Sequence, residues 1–164
     1  MKKILISVLA TTMIGAFFIG CTSNSEPSKV QESQVNLSIN AEEMANKLVE
    51  EGFVVMPIAV DEAMAEEIYH LNLDDVEEYG IAETGRSPGN SLVMIVKAKE
   101  GKVDSVKDSL NKVLEDKIGK AFYPEEKEIA ESSEVEVNGN YVSLFILPNE
   151  QLEEAKSLYM EQFK

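Results

Sequence analysis

Val135-Glu136-Val137-Asn138-Gly139-Asn140-Tyr141-Val142-Ser143-Leu144-Phe145-Ile146-Leu147 is the stretch from which the fold is read. Two runs rich in β-branched, aromatic and aliphatic residues flank Asn138-Gly139. Asn-Gly accepts the positive φ angles of a type I′ turn, so the stretch predicts a tight antiparallel hairpin. Side chains alternate along a strand, which places Val135, Val137, Val142, Leu144 and Ile146 on one face and Tyr141 and Phe145 on the other. Pro148-Asn149 then opens a last helix carrying Leu152, Ala155, Tyr159 and Phe163 inward.

The same order of elements stands upstream. Val76 to Glu83 reads as a strand, Gly85 to Asn90 as a loop by composition, and Leu92-Val93-Met94-Ile95-Val96 as a strand. The unbroken apolar run of the latter places it centrally in the sheet. After Gly101, Val103, Val106, Leu110, Val113, Leu114 and Ile118 keep helical spacing until Phe122-Tyr123-Pro124 ends the helix. Glu125 to Ser133 is acidic and follows neither period clearly. Two β-β-α units in sequence predict an α+β fold of two layers, with a four-stranded, mainly antiparallel sheet and helices on one face.

Further toward the N-terminus, Asn40-Ala41-Glu42-Glu43 carries the signature of a capping box, and Met44, Ala45, Leu48 and Val49 recur on one face before Gly52. Phe53 to Pro57 reads as extended. Asp61 caps a second short helix with Met64, Ile68 and Leu71 inward. These N-terminal helices are expected over the sheet face to which Tyr141 and Phe145 point.

The first forty residues read differently. Met1-Lys2-Lys3 is basic and Ile4 to Ile19 carries no charge, the anatomy of a secretory signal. Phe18-Ile19-Gly20-Cys21 is similar to the lipobox of bacterial lipoproteins, with Phe18 in place of the usual leucine. That resemblance implies cleavage before Cys21 and a diacylglycerol on its thiol. Cys21 is the only cysteine, so the mature chain would hold neither a disulfide nor a free thiol. Residues 22–40 are dominated by serine, asparagine and glutamine and read as a tether spanning roughly 25 Å as a coil. The expected organisation is a signal over 1–20, a lipidated cysteine and tether over 21–40, and one domain over 41–164, extracytoplasmic and lipid-anchored to the cell membrane.

The formal charge is −15, and losing residues 1–20 removes Lys2 and Lys3 and no acid, giving −17. Such a surface repels phosphate backbones and anionic headgroups, which argues against nucleic-acid partners. His70, the one histidine, has no nucleophile motif beside it. The acid clusters at Asp61-Glu62, Glu66-Glu67, Asp74-Asp75, Glu77-Glu78 and Glu125-Glu126-Glu128, of which Asp74, Asp75 and Glu78 would lie near one strand start, lack the Asp-x-Asp-x-Asp-Gly order of a calcium loop, so a solvated charged face is the preferred reading and no metal or cofactor is expected. There is no phosphate-binding or dinucleotide fingerprint.

Three residues stand out as partner contacts. Arg86, the only arginine, lies in the Gly85–Asn90 loop and offers a planar fork suited to carboxylates and phosphates. Tyr141 and Phe145 would form an aromatic face if left uncovered.

Met56-Pro57-Ile58-Ala59-Val60-Asp61, Leu73-Asp74-Asp75-Val76, the helix from Val103 and Gly139-Asn140-Tyr141-Val142 resemble, in that order, the family named domain of unknown function 4358 (DUF4358). The resemblance runs from about Phe53 to Phe163. Its members are typically small lipoproteins of Firmicutes, in keeping with the signal, and the resemblance implies no activity and no catalytic residue. The expected function is non-enzymatic: binding of an envelope protein or small ligand. The alternatives are a calcium- or small-solute-binding module using the acid clusters, and a small carboxylate hydrolase.

Overall fold

Leu92–Ala98 (β2) is buried along its length except at Lys97, because it is covered on both faces and flanked on both edges. Val76–Glu83 (β1) pairs with one edge and Tyr141–Ile146 (β4) with the other, and Val135–Asn138 (β3) completes the order β1-β2-β4-β3, antiparallel throughout. The helices are Ala41–Glu50 (α1), Glu62–Glu67 (α2), Val103–Lys120 (α3), Pro124–Glu131 (α4) and Asn149–Met160 (α5). The computed structural model describes residues 36–86, 89 and 91–163. The expected signal, Cys21 and the tether as far as residue 35 lie outside the described residues.

The two β-β-α units are present as β1-β2-α3 and β3-β4-α5, with α4 inserted in the acidic stretch. Pro124 starts α4, its missing amide being one that a first turn leaves unbonded anyway. On one face of the sheet Leu92, Met94, Val96, Val142, Leu144 and Ile146 pack against Val103, Val106, Leu110 and Val113 of α3, with Tyr69, Leu71 and Ala130 closing the sides. On the other, Val93, Ile95, Tyr141 and Phe145 meet Met44, Ala45 and Leu48 of α1 and Ala155 and Tyr159 of α5.

The helices therefore cover both faces. Of the two N-terminal helices expected on the Tyr141 and Phe145 face, α1 lies there, over β1 and β2, whereas α2 packs through Met64 and Ala65 on the α3 side; α5 joins α1 over β4 instead of joining α3. The reason is local. Leu147, one residue past β4, is buried on the second face, and α3 already occupies the first face over β2, β4 and β3.

Three details depart from expectation. The hairpin loop is Gly139-Asn140: Asn138 pairs with Tyr141, and the positive φ of 60° falls on Gly139. Glycine first suits a type II′ turn. The register moves by two relative to an Asn138-Gly139 loop, so every side chain keeps its face. Phe53 to Pro57 forms no strand, since Met56 is left-handed (φ 51°) and only Pro57 bridges, to Thr84. Ile68 is 54 % exposed and Tyr69 is buried in its place. The helix stops at Glu67 and His70 takes φ 55°, which ends the helical period.

Caps fix the two N-terminal helices. The Asn40 side chain accepts from the Glu43 amide at 2.8 Å, and Asp61 Oδ1 accepts from the Met64 amide at 2.8 Å. Asp75, buried between β1 and α3, accepts from Ser105 Oγ at 2.8 Å and Asn72 Nδ2 at 3.1 Å, and its other oxygen lies 2.7 Å from Lys102 Nζ. The hydrogen bond from Lys102, then that from Ser105, holds the Asp75 carboxyl below the usual carboxylate range. A lowered folded-state pKa contributes stability above the unfolded pKa and loses it as pH falls through the folded one. Asp75→Asn is thus expected to unfold at lower temperature than the parent near neutrality, with the gap closing as the pH drops below the ordinary carboxylate range. Thermal melts across the acid range check this; parallel curves for the two proteins would remove Asp75 from the account.

Candidate functional site: a groove beside an open strand edge

β1 is an edge strand. In antiparallel pairing, residues face the partner strand alternately. The Thr84 amide donates to the Ser91 carbonyl, so Ala82 and Gly80, in the same phase, also face β2. The backbone groups of Ile81 and Tyr79 point outward. The chain itself begins to pair with this edge: the Ile58 amide donates to the Glu83 carbonyl at 2.9 Å, and the Gly85 amide donates to the Met56 carbonyl at 2.9 Å. The pairing goes no further than Ile58, and three residues later Asp61 caps α2.

The divergence leaves a groove of about 830 Å³ between α1 and residues 57–62, with Tyr79, Gly80 and Ile81 along its floor. Ala45 and Val49 give one apolar wall, Ile58, Val60 and Leu73 the other. α1 comes this close to the strand because residue 80 has no side chain. A Cβ there would lie 2.1 Å from the Ala41 carbonyl oxygen and 2.9 Å from the Glu42 Cα.

The groove is acidic. Glu42, Glu62, Glu77 and Glu78 contribute to its lining, and no lysine, arginine or histidine does so among the described residues. Lys97 engages Glu77 at 2.8 Å, and Glu78 accepts the Tyr141 hydroxyl at 2.8 Å, which leaves Glu42 and Glu62 as the carboxylates of the rim. The field reaches the floor: burial first, then the charges of Glu62, Glu42, Asp61 and Glu66, raise the pKa of the Tyr79 phenol.

The residues singled out from sequence lie elsewhere. Arg86 is exposed, on a loop held on one side through its own amide to Thr84 Oγ1 at 3.2 Å and on the other through the Gly89 amide to Glu126 Oε1 at 2.9 Å. Ser87, Pro88 and Asn90 are outside the described residues. Tyr141 and Phe145 share a face as expected, but each is only 2 % exposed. Their reading as a partner surface is corrected: α1 and α5 cover that face, Phe163 stacks edge-on against Tyr141 at 5.5 Å, and Tyr159 lies 5.5 Å from Phe145.

His70 Nε2 lies 3.0 Å from Asp116 Oδ2, which also takes Lys120 Nζ at 2.8 Å, so the pair ties the end of α2 to α3. Asp74, Asp75 and Glu78 do not converge, and no three His, Cys, Asp or Glu side chains are placed to share an ion among the described residues. The groove itself was not read from the sequence. Gly80 is its one sign, since a glycine inside a regular strand pattern marks a bulge or a close backbone approach.

The molecule is therefore an α+β domain with an antiparallel four-stranded sheet between two helical layers and the edge of β1 open beside an acidic groove. The chain belongs to the family described as a domain of unknown function (DUF4358), whose model matches residues 54–147. The match takes in the whole sheet with α2, α3 and α4, and stops short of the Phe163 suggested by the sequence, leaving α1 and α5 outside. Comparison with curated proteins and with solved structures gives no match.

Proposed function

We propose that the chain is an exported lipoprotein, anchored through lipid on Cys21, whose domain is a binding module of the cell envelope that captures its partner in the groove beside β1. The groove carries this reading, because it combines an open strand edge, apolar walls and unneutralised charge in one place, and such concave sites with a few convergent polar groups are where ligands bind. The anchor rests on the basic and apolar segments and Phe18-Ile19-Gly20-Cys21. No helix of the described residues is long and apolar enough to cross a membrane. Arg86, exposed and held through its amide to Thr84 Oγ1, is a second contact in the same proposal.

Two measurements test it together. Cys21→Ser should abolish labelling by an alkyne fatty acid and release the chain from the membrane fraction. Cross-linking of the full chain in its envelope should yield a recurrent adduct that Glu42→Lys with Glu62→Lys reduces by roughly tenfold, as expected for paired charges at an interface. Arg86→Ala reports on the second contact. An adduct pattern indifferent to all three substitutions would rule out both surfaces.

A further inference from the structure

We infer that the groove takes an extended, lysine- or arginine-bearing segment of a partner protein as a fifth strand on β1; this rests on the groove being the binding site. Three observations converge on an extended occupant. The outward backbone groups of Tyr79 and Ile81 present the row of donors and acceptors that an added strand pairs with in register. The chain's own Pro57 and Ile58 already occupy the far end of this edge, antiparallel to Thr84 and Glu83, and a guest strand would continue that pairing where Ala59 leaves it. The edge from Glu77 to Ile81 is five residues, roughly 17 Å at the rise of a strand, which fits a short segment.

The walls and the rim fix its character. Side chains alternate on a guest strand, so one set would fall on Ala45 and Val49 and the other on Ile58, Val60 and Leu73. Glu42 and Glu62, reinforced by Asp61 and Glu66, select for positive charge. The same charges disfavour a second copy of this chain, which would set Glu42 and Glu62 against their own counterparts on a molecule already carrying −15.

The test uses the 15N-labelled full chain in detergent and three synthetic octapeptides: alternating valine and lysine, alternating valine and glutamate, and the lysine peptide N-methylated at every second residue. The lysine peptide is expected to slow hydrogen exchange at the Tyr79 and Ile81 amides by roughly tenfold or more, while the amides of β2 and β4 stay as they were. Glu42→Lys with Glu62→Lys should weaken it by about the same factor, with the difference shrinking in high salt. The glutamate and N-methylated peptides should leave both amides unprotected. Equal binding of the N-methylated peptide, protection mapped to any other surface, or no protection by the lysine peptide would overturn the added strand. Should that happen while the envelope adduct still depends on Glu42 and Glu62, the groove stands as a binding site for a ligand of another shape; loss of both removes the groove itself.

Discussion

Gly80→Ala is expected to cost about 3 kcal/mol or more of folding stability, the upper part of the range for an overpacked site. The new methyl would meet the Ala41 carbonyl at 2.1 Å and the Glu42 Cα at 2.9 Å. Both are main-chain atoms in the first turn of α1, so no side chain can turn aside to make room. The helix must lift, and with it Met44 and Leu48, whose side chains are buried against the sheet. Gly119→Ala is the natural control. It sits in α3, where a Cβ meets nothing within 4 Å, and should raise stability by up to about 1 kcal/mol through helix propensity. Urea unfolding of the two variants should move the midpoint in opposite directions. A Gly80→Ala midpoint equal to that of the parent would show that α1 is not seated on β1 as described.

Phe145→Ala should be comparably severe, at roughly 3–5 kcal/mol for a large ring removed from a core. Phe145 lies on the second sheet face, in the cluster with α1 and α5 and beside Tyr159. A domain of this size holds about 5–15 kcal/mol in all, so the variant stands near the edge of folding. This outcome separates the two readings of the residue. A partner contact would leave the melting curve alone and weaken capture, whereas a core residue lowers the midpoint first. A Phe145→Ala protein that melts with the parent would restore the aromatic face as a docking surface.

Local signals made the sheet legible. Asn138-Gly139 announces the hairpin whichever of the two possible loops is used, because a shift of two residues preserves the faces. The run from Leu92 to Val96 can be apolar at every position only if both its faces are covered, and β2 is so placed. The spacing from Val103 to Ile118 marks α3 without help from any other part of the chain.

What could not be read depended on contacts between distant segments. Which face α5 takes is decided by the prior claim of α3 on the other, and α5 carries no residue that states it. Tyr141 and Phe145 look alike in sequence whether buried or bare, and only the arrival of α1 and α5 decides. The groove exists because residues 57 and 58 begin a pairing that the start of α2 cuts short, a matter of path more than of composition. Gly80 alone carried a trace of it.

The Leu37 bridge to Phe163, and the Ser38 amide donating to the Gln162 carbonyl at 2.7 Å, fasten the entering chain to the last turn beyond α5. Phe163 in turn stacks on Tyr141, which pairs with Lys97 at the end of the sheet farthest from Glu83 and Leu92. Tension applied through residue 36 would therefore load this clasp before it loads the sheet. The clasp is held by a few bonds at the surface, while β2 is laddered to neighbours along both edges, so under a steady pull the clasp yields first and the sheet keeps its register. The clasp is thus a mechanical fuse where the chain enters the domain.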